Sequence, residues 1–260
     1  MTAPNARPYP GSQEFFIKAA NQSIRVGSTT FAYRDMGALT EVPLVLFNHW
    51  GAVLDNFDPR IIDGLAKTRR VIATDYRGIG GSSGSAPLTV GEMADDAIDL
   101  IRTLGFEKVD LLGFSLGGFV VQDIALKAPE LVRRLILTGT GAAGGTGIKN
   151  VGAVAWPLMI KGLLHLRDPK FYLFFTQTKN GRQAASDFLK RLKEQKKDRV
   201  KGPTPRAFLR NCKPSRLGAT RHLRTSGACG SRHWSPTATA TSWCPAKIRS
   251  RWRTELRTHN

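Results

Sequence analysis

The 260-residue sequence has no run of about 18 apolar residues, the length that a membrane-spanning helix needs. Its N-terminal stretch, MTAPNARPYPGS, lacks the apolar region and the small-residue cleavage site of a secretory signal. Cysteine is scarce, with three residues, and a chain of this length can bury a core without disulfide or metal staples. We therefore expect a cytoplasmic protein that does not associate with a membrane.

The last part of the chain has almost no acidic residues. Residues 206–260 contain 12 Lys and Arg against a single Glu, whereas residues 1–205 contain 27 Lys and Arg against 19 Asp and Glu. All three cysteines and three of the five tryptophans also lie in this tail. The net charge of +19 is thus concentrated in a segment whose composition differs from that of the rest.

Short apolar runs alternate with helical patterns in the body of the chain. Residues 23–26 and 30–34 predict a β-hairpin. Later runs are typical of strands buried on both faces, at residues 43–47, 71–74, 109–112 and 135–138. Thr89 and Glu92 have the spacing of a helical capping box. The alternation predicts an α/β fold with a doubly wound, mostly parallel sheet and its chemistry beyond the carboxyl ends of the strands.

Residues 147–205 have a different character. An apolar and aromatic stretch without strand signals is followed by a basic helical pattern over residues 182–199. This segment is predicted to form a helical lid over the carboxyl edge of the sheet. The chain therefore divides into an N-terminal extension (1–22), a core (23–146), a cap (147–205) and a basic tail (206–260).

One turn has the pattern of a catalytic loop. The stretch LLGFSLGGFV, from Leu111 onward, joins an apolar strand to a helix through a G-x-S-x-G turn. Gly113 and Gly117 remove side chains where strand and helix would collide, which leaves Ser115 at the apex. Ser115 is therefore the candidate nucleophile. The Leu116 N–H, at the start of the helix, is the candidate donor to the oxyanion that forms when a serine attacks a carbonyl.

Three loop motifs occur in order after successive predicted strands, namely NHWGA (48–52), DYRGIGGS (75–82) and GFSLGG (113–118). With them the chain resembles the α/β-hydrolase superfamily over roughly residues 23–210, in the branch of small esterases, lactonases and haloperoxidase-like enzymes. The resemblance implies a serine hydrolase of a small ester or lactone that uses no cofactor and no metal. Epoxide hydrolases and haloalkane dehalogenases share the fold but have an aspartate at the elbow, so the serine disfavours them.

The same resemblance implies roles for the loop residues. The loop at residues 49–51 would supply the second oxyanion amide. Because its order departs from the usual His-Gly, Trp50 and Gly51 are both candidates. His49, Asp75 and Arg77 are expected to order their loops and to take no part in the reaction.

The triad partners of the serine are missing from the expected place. In this fold a carboxylate and then a histidine follow the elbow along the chain. After Phe208, however, the only acidic residue is Glu255. Residues 216–260 contain no Val, Phe, Tyr, Met or Asp, so the C-terminal strands of the fold are expected to be missing or disordered.

The tail has the composition of a GC-rich gene read out of frame. Joining the last base of each codon to the first two of the next, from Gly230 onward, permits Val-Pro-Ala-Leu-Val-Ala-Asn-Gly-Asp-x-Asp. That is an apolar strand followed by a loop that resembles the acid-bearing loop of the family. We predict a frameshift near residues 211–215, and a hydrolase that is impaired in this chain.

Other interpretations of the tail compete with the frameshift. Cys229 and Cys244 with His222 and His233 lack the ligand spacing of a zinc site. A basic arm for nucleic acid is the stronger alternative, although its arginines follow no periodic face. A third alternative is a non-catalytic α/β-hydrolase-like protein that binds a small ligand. The sequence gives no indication of the oligomeric state.

Overall fold

The computed structural model describes residues 16–142, 148–194, 199–202 and 204, together with the backbone of residues 244 and 245. Strands and helices alternate along the core, as the sequence pattern predicts. The strands are β1 Gln22–Val26, β2 Thr29–Gly37, β3 Leu44–Phe47, β4 Arg70–Thr74, β5 Val109–Phe114, β6 Val132–Thr138 and β7 Cys244–Pro245. The helices are α1 Pro59–Ala66, α2 Val90–Thr103, α3 Leu116–Lys127, α4 Val151–Leu164, α5 Lys170–Leu173 and α6 Lys179–Arg191.

The sheet is mixed and mostly parallel, which confirms the predicted α/β class. Its strands lie in the order β1-β2-β4-β3-β5-β6-β7. The four central strands β4, β3, β5 and β6 are parallel, and the predicted hairpin of β1 and β2 pairs antiparallel at one edge. The carboxyl ends of the parallel strands therefore bring the loops after Phe47, Thr74, Phe114 and Thr138 to one edge.

Both faces of the sheet are covered, so the fold is doubly wound. In β3, Val45 and Phe47 pack with residues of α2 and α3, whereas Leu44 and Leu46 pack on the opposite face with residues of α1. Alternate side chains of a strand point to opposite faces, so a strand buried on both has to be apolar throughout. This is the physical reason for the continuous run at residues 43–47.

Helix α2 begins at the predicted capping box. The Glu92 N–H donates to Thr89 Oγ1 over 3.1 Å, and Glu92 Oε2 accepts from the backbone N–H of Thr89 over 3.3 Å. The apolar face that follows is buried, at Val90, Met93, Ala94, Ala97, Ile98 and Ile101. Reciprocal capping satisfies N–H groups that have no partner within the helix.

The cap consists of α4, α5 and α6, but its last helix is shorter than predicted. The basic pattern predicted a helix over residues 182–199, whereas α6 ends at Arg191 and a turn follows from Leu192. The chain returns to the core at this point. The Val200 N–H donates to Asp55 Oδ2 over 2.6 Å, which requires the helix to end several residues earlier.

Within the part of the tail that the structure describes, there is one strand of two residues. Cys244 and Pro245 pair antiparallel with Leu135 and Arg134 of β6. The open edge of β6 offers backbone groups that any extended segment can pair with, whatever its side chains. Apart from these two residues, the tail from residue 205 onward lies outside the described residues, as do residues 1–15.

Candidate active site

Ser115 lies at a strained turn between β5 and α3. Its backbone has φ 54° and ψ −112°, outside the regions that non-glycine residues favour. Such a conformation costs about 1–3 kcal/mol and persists only where its surroundings hold it. Here the Ser115 N–H donates to the Thr138 carbonyl over 3.0 Å, and the Ser115 carbonyl accepts from the Gly118 N–H over 2.9 Å.

The glycines of the elbow allow the backbone to approach closely on three sides. A Cβ on Gly113 would overlap the backbone of Gly117, and a Cβ on Gly117 would overlap the Phe47 carbonyl. A Cβ on Gly118 would overlap the side chain of Thr140 in the loop after β6. These contacts are the predicted reason why the two outer positions of G-x-S-x-G are glycines. The same reason applies to Gly118, which follows the motif.

Asn48 connects the elbow to the loop after β3. Its carbonyl accepts from the Gly117 N–H over 3.1 Å and from the Tyr76 hydroxyl over 3.0 Å. Its side chain accepts from the His49 N–H over 2.8 Å and donates to the Val53 carbonyl over 3.3 Å. One residue thus fixes the NHWGA loop against the serine turn. No role for Asn48 was expected from the sequence, although its place directly after a buried strand was a usable signal.

The three candidate oxyanion amides lie on these two connected segments. Leu116 is the first residue of α3, where backbone N–H groups have no partner within the helix. Trp50 and Gly51 lie in a turn that is closed by a 3.2 Å hydrogen bond from the Ala52 N–H to the His49 carbonyl. Gly51 has φ 70°, a conformation that favours glycine. The structure brings these segments together and leaves both Trp50 and Gly51 as candidates.

His49 is held by its own loop. Its Nδ1 lies 2.8 Å from the Trp50 carbonyl, and because a carbonyl can only accept, Nδ1 carries the proton. The Nε2 atom is shielded from solvent and makes no hydrogen bond within the described residues. Burial of the ring lowers the pKa of His49 to about 4, so the imidazole is neutral at pH 7. This geometry agrees with the expected loop-ordering role.

Asp75 holds two neighbouring loops. Its buried carboxylate accepts from the Leu54 N–H over 2.6 Å and from the Gly81 N–H over 2.9 Å. Burial raises the pKa of Asp75 to about 7, against the lowering effect of these two hydrogen bonds. The Arg77 Nε donates to Asp96 of α2 over 2.7 Å. Both residues therefore brace the loops, as the resemblance implies.

Aromatic side chains form the surroundings of the elbow. Phe114, His49 and Phe174 of the cap meet edge to face, with ring centroids 5.2–5.7 Å apart. Trp156 of α4 contacts Trp50, with their centroids 6.2 Å apart. The cap thus reaches the candidate oxyanion loop, as a lid would. These contacts could not be predicted from the sequence, because residues from separate segments meet only in the folded chain.

The other histidines do not complete a triad within the described residues. His165 is exposed on the cap, with Nδ1 2.8 Å from the Lys161 carbonyl. His222, His233 and His259 lie outside the described residues, and so does Glu255. The described residues therefore contain no histidine suited to act as the base of Ser115 and no carboxylate that would orient such a histidine.

Comparisons with known proteins agree with this geometry. The α/β hydrolase fold family matches residues 42–197, a range that contains all three loop motifs. Among solved structures, an α/β hydrolase fold protein from Chitinophaga pinensis is 34% identical with a TM-score of 0.73. That similarity covers 80% of this chain and 75% of the other.

Curated relatives match shorter segments. The proline iminopeptidase PfmaB of Pestalotiopsis fici is 38% identical over 122 residues, which cover 45% of this chain and 43% of that protein. A 2-hydroxymuconate semialdehyde hydrolase from a Pseudomonas species is 39% identical over 82 residues, which cover 31% and 29%. The chain thus spans less than half the length of the curated relatives it matches.

Proposed function

The chain belongs to the α/β-hydrolase family, and we propose that it is a serine hydrolase that cleaves a small ester or lactone through Ser115. The observation that carries the proposal is the strained backbone of Ser115 at the apex between β5 and α3. Both of the relatives described above are named for hydrolytic reactions, which supports the reaction class. The choice of an ester or lactone over other acyl compounds is part of the proposal.

The reaction would proceed through an acyl-enzyme. Ser115 Oγ attacks the carbonyl carbon, and the carbonyl oxygen becomes an oxyanion that the Leu116 N–H and the N–H of Trp50 or Gly51 stabilise. The C–O bond to the alcohol then breaks, and the alcohol leaves with the proton from Oγ. A water oxygen then bonds to the acyl carbon, the ester bond to Ser115 breaks, one proton of the water returns to Oγ, and the acid is released.

The walls of the site favour an apolar substrate. Phe114, Phe174, Trp50 and Trp156 contribute aromatic rings around the elbow, and the two charged residues that act on the His49 ring, Lys170 and Asp168, pair with each other. Aromatic walls with a few polar groups are typical of small-molecule sites. We therefore infer an ester or lactone whose acyl and alcohol parts are both small and uncharged.

Activity in this chain is expected to be impaired for lack of a base. Serine is a weak nucleophile until a histidine takes its proton. The pKa of His49 is about 4, and its Nδ1 is engaged by the Trp50 carbonyl, so it is poorly suited to that task. We propose that the natural acid and histidine were lost with the reading frame near residues 211–215.

The proposal is tested with a fluorophosphonate probe, which labels activated serines. Protein translated from a gene with the reading frame restored should label at a single site. Labelling should disappear in Ser115→Ala and persist in Ser186→Ala, a matched change on the cap helix α6. Labelling that survives in Ser115→Ala would refute the assignment.

A non-catalytic binding protein is the alternative. In that case small esters would raise the melting temperature of the frame-restored protein, but no hydrolysis would be measured. The same thermal and turnover measurements on one preparation therefore separate the two functions.

A further inference from the structure

Helix α4 is apolar on every side and nevertheless exposed. Its sequence VGAVAWPLMIKGLL has one charged residue in 14. Val154, Leu163 and Leu164 are 66%, 72% and 76% exposed, and Leu166 just beyond the helix is 94% exposed. A helix that is hydrophobic all round is normally buried in a core or a membrane. We call these four residues and Ile160 the α4 patch.

Within the described residues, the contacts that attach the helix to the rest of the protein leave the patch open. Gly162 is the buried residue of α4, and a Cβ there would press on the backbone of Pro169. Trp156 contacts Trp50 at the other end. Several large apolar side chains exposed on one helix mark an interaction site.

Cationic groups border the patch. Lys161 Nζ lies 5.1 Å from the centroid of the Tyr172 ring, and the Arg167 guanidinium lies 4.6 Å from that of Phe171. The neighbouring Asp168 is already paired with Lys170. The patch is therefore apolar at its centre and positive at its border.

The cationic groups at the border of the α4 patch distinguish between the partners that could bind it. A second copy docked patch to patch would bring the same positive border against itself. The basic tail carries the same sign of charge and has few apolar residues. An anionic lipid surface complements both features, since its headgroups attract Lys and Arg and its acyl boundary accepts apolar side chains.

We propose that the α4 patch binds the surface of an anionic lipid membrane. The sequence predicted no membrane association because it lacks a spanning segment, and within the described residues no helix is long and apolar enough to cross a bilayer. With 14 residues against the roughly 20 needed to span, α4 would lie in the interface. The lipid would then sit beside Trp156, at the cap side of the candidate site.

The test is co-sedimentation of the full chain with vesicles of phosphatidylcholine, with and without phosphatidylglycerol. The variant replaces Leu163 and Leu164 with Glu. Its matched control replaces Leu39 and Leu126 with Glu, since these leucines are also exposed, at 62% and 58%, but lie on the core. Both variants add two negative charges, so the attraction of the basic tail to the vesicles changes equally.

We expect the chain to bind the anionic vesicles, and the α4 variant to bind them more than about tenfold more weakly than the control variant. Equal losses in the two variants would mean that charge alone binds the vesicles, and would refute the proposal. A wild-type dimer that the α4 variant abolishes, without vesicle binding, would identify a second copy as the partner. A melting temperature lowered in the α4 variant alone would mean that the chain itself covers the patch.

Discussion

Arg191, at the end of α6, forms a two-pronged ion pair with Asp58, which caps the start of α1. Arg191 Nε lies 3.1 and 3.0 Å from the two carboxylate oxygens, and its terminal nitrogen lies 2.6 Å from Oδ2. Asp58 also accepts from the Arg60 N–H over 3.1 Å. The cap is thereby joined to the segment that follows the candidate oxyanion loop, and the pair of Val200 with Asp55 adds a second connection there.

Replacing Arg191 with Ala should therefore loosen the cap. The change removes the charge-assisted hydrogen bonds that two nitrogens of Arg191 donate to a largely buried carboxylate, so we expect a loss of about 1–2 kcal/mol in the free energy of unfolding. The neighbouring exposed Lys190→Ala is the control and should change stability by less than about 0.5 kcal/mol. Chemical denaturation measures both, and equal stability of the two variants would mean that the ion pair contributes little.

The close approach at the elbow predicts a large effect of one methyl group. Gly117→Ala would place a Cβ against the Phe47 carbonyl, which belongs to a central strand and cannot move freely. We expect a loss of at least about 2–3 kcal/mol in the free energy of unfolding, or failure to fold.

Gly64→Ala is the matched control for Gly117. Nothing lies within 4 Å of a Cβ at Gly64, which is in the middle of α1. This change should stabilise the protein by roughly 0.5–1 kcal/mol, because alanine loses less backbone entropy in a helix. Thermal unfolding should thus move in opposite directions for the two variants, and a tolerated Gly117→Ala would show that the elbow can relax.

The sequence was informative where local patterns decide the structure. Continuous apolar runs gave the central strands, and the Thr89 capping box placed the start of α2. The two glycines around Ser115 gave the elbow, because their role depends on neighbours close in the chain. The predicted end of α6 was wrong, since a contact between Val200 and Asp55, 145 residues apart, determines where the helix stops.

Contacts between distant segments could not be predicted from the sequence. Arg34 and Asp55 form a buried ion pair of 2.7 Å, yet nothing in their local patterns links them. The contact of Trp50 with Trp156 likewise depends on how the cap folds back over the sheet. The motifs thus located the elbow and its loops, whereas the walls of the site required the tertiary structure.

The raised pKa of Asp75 predicts a pH-dependent stability. The ordinary pKa is 3.8 and the folded value is about 7, so between these values the folded chain holds a proton that the unfolded chain has released. Raising the pH through this window removes that proton and destabilises the fold, by at most roughly 1.4 kcal/mol for each pH unit. Below pH 4 the protonated Asp75 carboxyl contributes its full stabilisation to the fold, and above about pH 7 this group causes no further loss of stability.

Asp75→Asn isolates this contribution. The amide cannot ionise, so the slope of stability against pH between 4 and 7 should be flatter in the variant, whatever its absolute stability. The exposed Asp99→Asn on α2 should keep the wild-type slope. Denaturation midpoints at several pH values provide the measurement, and parallel curves for wild type and Asp75→Asn would show that Asp75 is ionised throughout this range.

The lack of a suitable base within the described residues predicts a very low turnover for the chain as it stands. Ser115 and the candidate amides of Leu116, Trp50 and Gly51 are in place, but the described residues contain no suitable base and no carboxylate that could orient one. Enzymes that lose triad members retain only about 10³–10⁴-fold acceleration over water, from positioning and the oxyanion hole. We therefore expect hydrolysis of p-nitrophenyl acetate by this chain to be orders of magnitude slower than by protein from the frame-restored gene.

Two controls make that comparison decisive. Sequencing the coding DNA around codons 205–220 establishes whether the shift is in the gene. Ser115→Ala in the frame-restored protein should reduce its turnover to the level of the present chain, because both would then lack a working nucleophile and base pair. If instead the present chain turned over as fast as the restored protein, and Ser115→Ala abolished that activity, a base outside the described residues would have to serve Ser115. His222, His233 and His259 would then be the residues to replace in turn.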